Sequence, residues 1–322
     1  MRTPIKFISK KSDKQSLLFG YFLGALGASL FATKGIVIKL ALLENVDALT
    51  TLTWRMIIAV PFFIIIGFTG YRDRVKKGKA KGKKFIISRS AIFKTALLGM
   101  LGYYLASYLD FAGLEYITAQ FDRLIMLTNP FFVVLFGAIL FKRKVSFMMI
   151  SSLLISYSGL ILIFLYDFNV GGSDVILGAL LVLGAAITYA LYQLLAKPLI
   201  DELGARIFTS IALSAAGITV VIHFLLTHEL SDLIVSQKAM WLMGAMGTIS
   251  TVFPAYLIAA SIGRIGSEPT AVMGNISPLV TISLAVFVLK ETFSIYHAIG
   301  AALVLVGMFA FAKFEREVRV MG

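Results

Sequence analysis

The sequence has no cysteine, three histidines and few charged side chains. Without cysteine there is no disulfide, no thiolate metal site and no cysteine nucleophile. His223, His228 and His297 form no cluster with metal-ligand spacing. Charged residues are 15% of the chain, against about 25% in a soluble domain. We therefore predict no metal and no cofactor, and a chain that is not an ordinary soluble protein.

Several sequence motifs are also missing. The sequence has no G-x(4)-G-K-[ST] motif, so this chain does not itself bind ATP through a P-loop. It has neither the G-x-S-x-G motif of a serine hydrolase nor the H-E-x-x-H motif of a zinc protease. The aspartates in apolar runs, Asp110 and Asp122, lack a glycine-rich motif around them. We predict that the protein is not an enzyme.

Long apolar runs dominate what is present, since 59% of the residues are hydrophobic. A run of about 20 apolar residues is long enough to cross a bilayer as a helix. The sequence predicts an all-α polytopic membrane protein with ten transmembrane helices and a retained first helix. The ten runs span residues 16–41, 49–70, 92–114, 117–141, 146–166, 174–195, 204–227, 238–262, 267–289 and 294–312.

The distribution of lysine and arginine predicts the orientation. With the N-terminus inside, the external loops hold two basic residues and the spans hold four, which leaves 24 of the 30 on the cytoplasmic side. Cytoplasmic loops carry an excess of basic residues. We predict a multi-pass protein with both termini in the cytoplasm.

Ten of the basic residues lie in one predicted cytoplasmic loop, residues 71–94. Basic tracts can bind nucleic acid. Beside a membrane helix, however, such a tract more often fixes the topology and attracts anionic lipid. We therefore expect membrane lipids as partners at this loop, and no nucleic acid.

Two stretches, residues 108–163 and 256–311, align without a gap at an offset of 148, and both contain P-x11-K-x3-S-x12-G. Duplicated apolar halves are typical of secondary transporters. Five spans per half would insert the two copies with opposite orientations, as two inverted five-helix repeats (5+5). The predicted segments are an N-terminal cytoplasmic tail (1–15), a first repeat (16–166), a second repeat (167–312) and a C-terminal cytoplasmic tail (313–322).

These features resemble the EamA-type transporters of the drug/metabolite transporter superfamily. Arg55 after Trp54 resembles the arginine of the family's second helix, and Pro278 followed by Lys290 and Glu291 resembles its ninth. The first copy departs from the pattern, because Arg143 stands where glutamate is usual. The resemblance implies a central cavity between the repeats that opens alternately to each side, and a bacterial-type plasma (inner) membrane.

The resemblance predicts a secondary active transporter that exports a small-molecule substrate. We expect small polar metabolites, either amino-acid-like or organic anions. Two alternatives stay open: a lipid-headgroup scramblase or flippase of the same fold, and an exporter of cationic or amphipathic drugs. The sequence is compatible with a monomer or a homodimer.

Five charged residues fall in the outer third of their spans: Lys34, Arg55, Asp110, Asp122 and Arg123. Charges inside a membrane are costly and mark functional sites. Three cations and two anions leave one positive charge over, which either an anionic substrate or a structural ion network would use. We predict substrate contacts for Lys34, Asp122 and Arg123, proton coupling for Asp110 or Asp122, and a structural ion pair for Arg55.

Aromatic and kink residues complete the predicted site. Tyrosine and tryptophan offer apolar bulk with a polar tip, which suits either a ligand or packing. Prolines inside a span free a backbone carbonyl and act as hinges or ligand sites. Candidates for substrate binding are Tyr103, Tyr104, Tyr189, Tyr192, Trp241 and Asn275, and candidates for a hinge or structural role are Pro130, Pro278 and Glu291.

Overall fold

The computed structural model describes residues 10–80, 86–142, 146–265, 270, 273–274 and 276–321. Every regular element in these ranges is a helix. Nine described helical spans are long and apolar enough to cross a membrane. Many large apolar side chains on them, such as Leu154 and Ile222, are exposed, as lipid-facing positions are. The predicted class of an all-helical multi-pass membrane protein is confirmed.

The helices follow the predicted spans closely. We number them in chain order, with two segments of wider π-helical turns and one short 3-10 helix named separately. The α-helices are α1 (Lys10–Ala32), α2 (Lys34–Leu43), α3 (Ala48–Ala80), α4 (Arg89–Gly99), α5 (Ala106–Gly113), α6 (Ala119–Met126), α7 (Asn129–Phe141), α8 (Phe147–Gly171), α9 (Asp174–Leu203), α10 (Ala205–Thr227), α11 (Gln237–Gly247), α12 (Phe253–Ile265), α13 (Ser277–Phe287) and α14 (Ile295–Met321). The 3-10 helix is Leu230–Leu233.

The predicted span at 267–289 is longer than the helix that the structure describes there. Part of it lies outside the described residues, and its described helix, α13, has 11 residues. The other nine predicted spans each correspond to one of the nine long spans. The first of these, Leu17–Leu43, is broken between α1 and α2 at Thr33.

The predicted loop at 71–94 is wrong for most of its described residues. Helix α3 continues to Ala80, and α4 begins at Arg89. Lysine and arginine are good helix formers. The extension is also tied to the turn between α9 and α10, because Arg206 pairs with Asp73 at 2.9 Å and Arg74 donates to the carbonyl of Glu202 at 2.7 Å.

Two predicted boundaries also fall inside helices. Helix α14 runs through to Met321, so the predicted C-terminal tail (313–322) continues the last helix. The boundary between the predicted repeats, at 166–167, lies inside α8, which ends at Gly171. Apolar length alone did not locate these ends. In α14, charged helix formers such as Lys313 and Glu315 extend the helix beyond its apolar part.

Two local features recur at the 148-residue offset. A segment of π-helical turns at Met100–Leu105 in the third span is matched by one at Thr248–Val252 in the eighth. Lys142 and Lys290 both adopt the left-handed conformation, with φ of 53° and 57°. Wider π turns are frequent at functional sites, and these two carry residues that line the central cavity described below.

The sequence predicted that the two prolines would lie inside a helix and kink it. The structure instead places both of them at the beginning of a helix. Pro130 and Pro278 lie in the first turn of α7 and α13. A proline in the first turn is tolerated because its missing N–H would have had no intrahelical partner. Each proline therefore marks the restart of a broken helix. The break before α7 is Leu127–Thr128, between α6 and α7.

Close helix pairs hold the bundle together. Added Cβ atoms at Gly24 and Gly27 of α1 would lie 2.8 Å from Ser261 Oγ and 2.9 Å from Ile258 of α12, so α1 and α12 pack closely at these glycines. We call the face where α1 begins and α3 ends the terminal face. The opposite face, which holds residues 44–47, 114–118, 172–173 and 288–294, is called the distal face.

Candidate functional site

The helices enclose a central cavity of about 570 Å³. Residues from the break between α1 and α2, both segments of π turns and the break between α6 and α7 line it. The interruptions matter because they leave backbone and side chains free to face an interior space instead of packing. The cavity extends from Asp122, near the beginning of α6, to Thr209, near the beginning of α10 at the terminal face.

Lys34 and Asp110 form an ion pair in this cavity. The Lys34 Nζ atom lies 2.7 Å from Asp110 Oδ2, and the two side chains are 17% and 3% exposed. Thr33 ends α1 just before Lys34, and its hydroxyl lies 2.7 Å from that of Ser250. The break in the first span thus places Lys34 at the beginning of α2, where it reaches the third span.

Asp122 and Arg123 lie side by side on α6, and both line the cavity. The Arg123 guanidinium donates to the hydroxyl of Ser277, but its Nε has no partner in the described structure. Asp122 Oδ1 is also buried without a partner. Buried polar atoms without a hydrogen-bond partner are costly. A ligand that bonds to these two atoms would therefore gain the most binding free energy.

Arg55 does not form the predicted ion pair. Its Nε and Nη1 atoms donate to the hydroxyls of Thr251 and Ser107, each at 3.2 Å. Its guanidinium lies 5.6 Å from the ring centre of Phe111. No carboxylate of the described residues lies within ion-pair distance of Arg55. Neutral oxygens and an aromatic ring hold this cation without cancelling its charge.

The cavity charges do not balance. Three cations, Lys34, Arg55 and Arg123, face two carboxylates, Asp110 and Asp122. Only one ion pair forms among them, between Lys34 and Asp110. With all five groups ionised, the cavity carries one net positive charge.

The predicted aromatic residues separate into two groups. Tyr103 and Tyr189 line the cavity. Tyr192 lies behind them and donates to the Tyr103 hydroxyl at 3.0 Å. Tyr104 is outside the lining and contacts His223 Nδ1 at 3.1 Å. Trp241 is 74% exposed on the bundle surface, away from the cavity.

The remaining predicted residues take structural positions or lie elsewhere. Pro130 lines the cavity at the beginning of α7, whereas Pro278 does not. Glu291 accepts hydrogen bonds from the backbone N–H groups of Ala119 and Gln120 at 2.8 and 3.3 Å. A carboxylate is stabilised at a helix N-terminus, so Glu291 fixes the beginning of α6 and does not form an ion pair there. Asn275 lies outside the described residues.

Several polar residues of the cavity did not stand out in the sequence. They include Gln193, Thr209, Thr251 and Thr281. Single amide and hydroxyl side chains are common in apolar helices, so composition gave no reason to choose them. Asn129, beside Pro130, also lines the cavity, and its amide donates to the carbonyl of Ala186 at 3.0 Å. Among the described residues, no three His, Asp or Glu side chains group as metal ligands.

Comparisons with known proteins give the chain a family. The model of the EamA-like transporter family matches it twice, over residues 18–165 and 176–312. The chain is 26% identical over 296 residues to the uncharacterized transporter YcbK of Bacillus subtilis, covering 88% of this chain and 90% of that one. It is 23% identical over 231 residues to an uncharacterized transporter of Clostridium kluyveri, covering 70% and 74%.

One solved crystal structure is similar in fold. It covers 95% of this chain and 99% of its own, with a TM-score of 0.56 and 18% sequence identity. At this identity the similarity concerns the fold alone.

Proposed function

The chain belongs to the EamA-like transporter family, and from this premise we propose that it is a secondary active transporter of small metabolites that carry an anionic group. Amino-acid-like zwitterions and organic anions fit this description. The observation that carries the proposal is the net positive charge of the central cavity, where Arg123 Nε has no partner among the described residues. A substrate carboxylate would satisfy that donor and balance the charge.

We propose that the cavity works by alternating access. The bonds from Glu291 to α6 and the pair between Lys34 and Asp110 lie toward the distal face. They support closure on that side. The cavity reaches Thr209 near the terminal face, which supports entry of substrate from there. If the terminal face is cytoplasmic, as the basic residues predict, the transport direction is export.

Asp122 is the better candidate for proton coupling. Asp110 is held by Lys34, whereas one carboxylate oxygen of Asp122 has no partner among the described residues. A carboxylate without a fixed counter-ion can take up a proton without breaking an ion pair. We therefore assign coupling, where it occurs, to Asp122.

Counterflow in proteoliposomes tests the proposal. Vesicles preloaded with unlabelled compound receive labelled L-leucine, succinate or tetraphenylphosphonium, with and without a pH gradient. We expect uptake of L-leucine or succinate that Arg123→Gln abolishes and that Lys197→Met, a change in an exposed pair, leaves intact. Uptake of tetraphenylphosphonium alone would contradict the anionic substrate. A response to the gradient that survives in Asp122→Asn would contradict the coupling role.

A further inference from the structure

A second cavity of about 820 Å³ opens at the distal face. It lies between the end of α2, the end of α8 and the segment before α6. We call it the distal vestibule and define it by Lys39, Glu115, Tyr166, Asp167 and Glu291, which all line it. The first turn of α6 separates it from the central cavity, since Thr118 lines the vestibule and Asp122 lines the cavity.

Three of the four vestibule carboxylates are already used by the protein. Asp47 and Glu115 accept backbone N–H groups at the beginning of α3, at 2.8 and 2.9 Å. Glu291 does the same for α6 with both oxygens. A carboxylate engaged in this way supports a helix N-terminus and has less to offer a ligand.

Asp167 differs from these three. It is only 9% exposed, and its Oδ1 lies 3.1 Å from His297 Nε2, while Oδ2 has no partner in the described structure. The Ser294 N–H points to His297 Nδ1 at 3.3 Å, so that nitrogen accepts and Nε2 carries the proton. The histidine is then neutral. The negative charge of Asp167 is therefore not cancelled, and one of its oxygens is left for a donor.

Lys39 supplies the opposite charge. Within the described structure its ammonium has no hydrogen bond and no ion pair. The carboxylates that act on it electrostatically, Glu291, Asp122 and Glu115, do so without a direct contact. A lysine in a membrane span normally pairs or reaches the surface. Lys39 instead borders a cavity with its charge unmatched by a direct contact.

The rest of the vestibule wall is mostly apolar near these two charges. The ring of Tyr166 is held edge-on to His297, with ring centres 5.1 Å apart. An aromatic face beside a carboxylate favours an ammonium group. The apolar residues of the wall include Leu42, Val46, Val170, Val175 and Leu289.

We propose that the distal vestibule is a second ligand site for a small zwitterion with an apolar substituent. Its ammonium binds Asp167 beside Tyr166, its carboxylate binds Lys39, and its substituent packs on the apolar wall. This second site goes beyond the proposed function. It rests on that function in one respect, which is that both sites bind the same substrate. The two sites then form stations on one path, separated by the first turn of α6.

The test is the number of L-leucine molecules bound per chain. Equilibrium dialysis of the purified full chain with labelled L-leucine is expected to give two. Lys39→Met and Asp167→Asn each reduce this to one, and Arg123→Gln removes the other. Lys39 has no direct partner among the described residues to lose, so its variant keeps the fold even if Asp167→Asn does not. Lys238→Met, an exposed distal change, keeps both sites.

Two matched compounds test the need for both charges. 4-Methylpentanoate lacks the ammonium of leucine, and isoamylamine lacks its carboxylate. Each is expected to bind the vestibule at least ~10-fold more weakly than leucine, because one fixed charge is left unmatched.

The outcomes separate the two proposals. If wild type binds one leucine, and this binding is lost in Arg123→Gln but unchanged in Lys39→Met, then the proposed vestibule site is wrong and the proposed function stands. One site with the reverse response keeps the vestibule and overturns the proposed role of the central cavity. If wild type binds two leucines and Lys39→Met still binds two, the proposed vestibule site is wrong. It is also wrong if wild type binds no leucine.

Discussion

The two predicted halves contribute differently to the central cavity. All five of its charged side chains come from the first half, residues 16–166. The second half, residues 167–312, lines it with neutral groups such as Tyr189, Gln193, Thr209 and Thr251. A shared scaffold therefore does not imply a shared chemistry. The charged side chains of the cavity lie on one side, and two of the hydroxyl groups that accept from them, those of Thr251 and Ser277, lie on the other.

The aligned positions make the contrast concrete. At the 148-residue offset, Asp122 and Arg123 correspond to Thr270 and Ala271. The second half instead supplies hydroxyl partners: Ser277 for Arg123 and Thr251 for Arg55. Hydrogen bonds from neutral groups hold a buried cation without cancelling its charge.

Breaking the ion pair of the first half should have the largest effect. Lys34→Met leaves Asp110 charged and buried, which costs about 3–5 kcal/mol of stability. The double variant Lys34→Met/Asp110→Asn should recover most of this, because neither member of the pair is then left charged without the other. Thermal unfolding in detergent measures both, with Lys197→Met as an exposed control. A single variant as stable as the control contradicts the ion pair.

The second-largest effect is expected at Glu291, where the two halves are in contact. Glu291→Gln and Glu115→Gln each weaken a helix N-terminus by about 0.5–2 kcal/mol. Of these two glutamates, Glu291 joins the second half to the first, whereas Glu115 bonds within the first half. Ala106 lines the central cavity. Because the chain has no cysteine, the variant Ala106→Cys has a single thiol, and its labelling reports access to the cavity.

The measurement is labelling of that cysteine by an impermeant thiol reagent added at the distal face. We expect faster labelling in Glu291→Gln and no change in Glu115→Gln. Equal labelling in both variants would show that Glu291 does not close the cavity.

The two left-handed lysines test what the halves share. Lys142→Gly and Lys290→Gly should each stabilise the protein by about 1 kcal/mol, because glycine has no Cβ to strain at positive φ. Similar gains at both sites support equivalent turns. A gain at one site only would mean that the turns are not equivalent. The readout is the unfolding temperature in detergent.

The smallest effect is expected at the exposed pair of Glu44 and Lys238, which also joins the halves at 2.6 Å. The hydrogen bond from Lys238 lowers the pKa of Glu44 below its ordinary value of 4.5. Its contribution is therefore present above pH 4.5 and is lost as the pH falls through the lowered pKa. The difference in unfolding temperature between wild type and Lys238→Met should narrow below pH 4.5, and a constant difference contradicts the pairing.

The helices and the charged cluster could be predicted from the sequence for a simple reason. Apolar length reveals a membrane span, and a charge within it stands out. The choice of partners could not be predicted. Lys34 and Asp110 are 76 residues apart and meet only because α2 packs near the third span.

Other features had no signal in composition. The π turns at Met100–Leu105 and Thr248–Val252 have the sequences MLGYYL and TISTV, which share no residue at equivalent positions. The role of Pro130 depends on where the helix restarts, which the residue alone does not reveal. The extension of α3 to Ala80 was missed because a basic helix and a basic loop have similar composition.

The unpaired positive charge of the first half is tested most directly by ligand-induced thermal stabilisation of the purified protein. Wild type, Arg123→Gln and Lys197→Met are compared against amino acids, organic acids, nucleotides and cationic drugs. We expect compounds with an anionic group to stabilise wild type and Lys197→Met, and Arg123→Gln to lose at least ~10-fold in apparent affinity, about 1.4 kcal/mol. Stabilisation by cationic drugs alone, or an unchanged response in Arg123→Gln, would contradict the account.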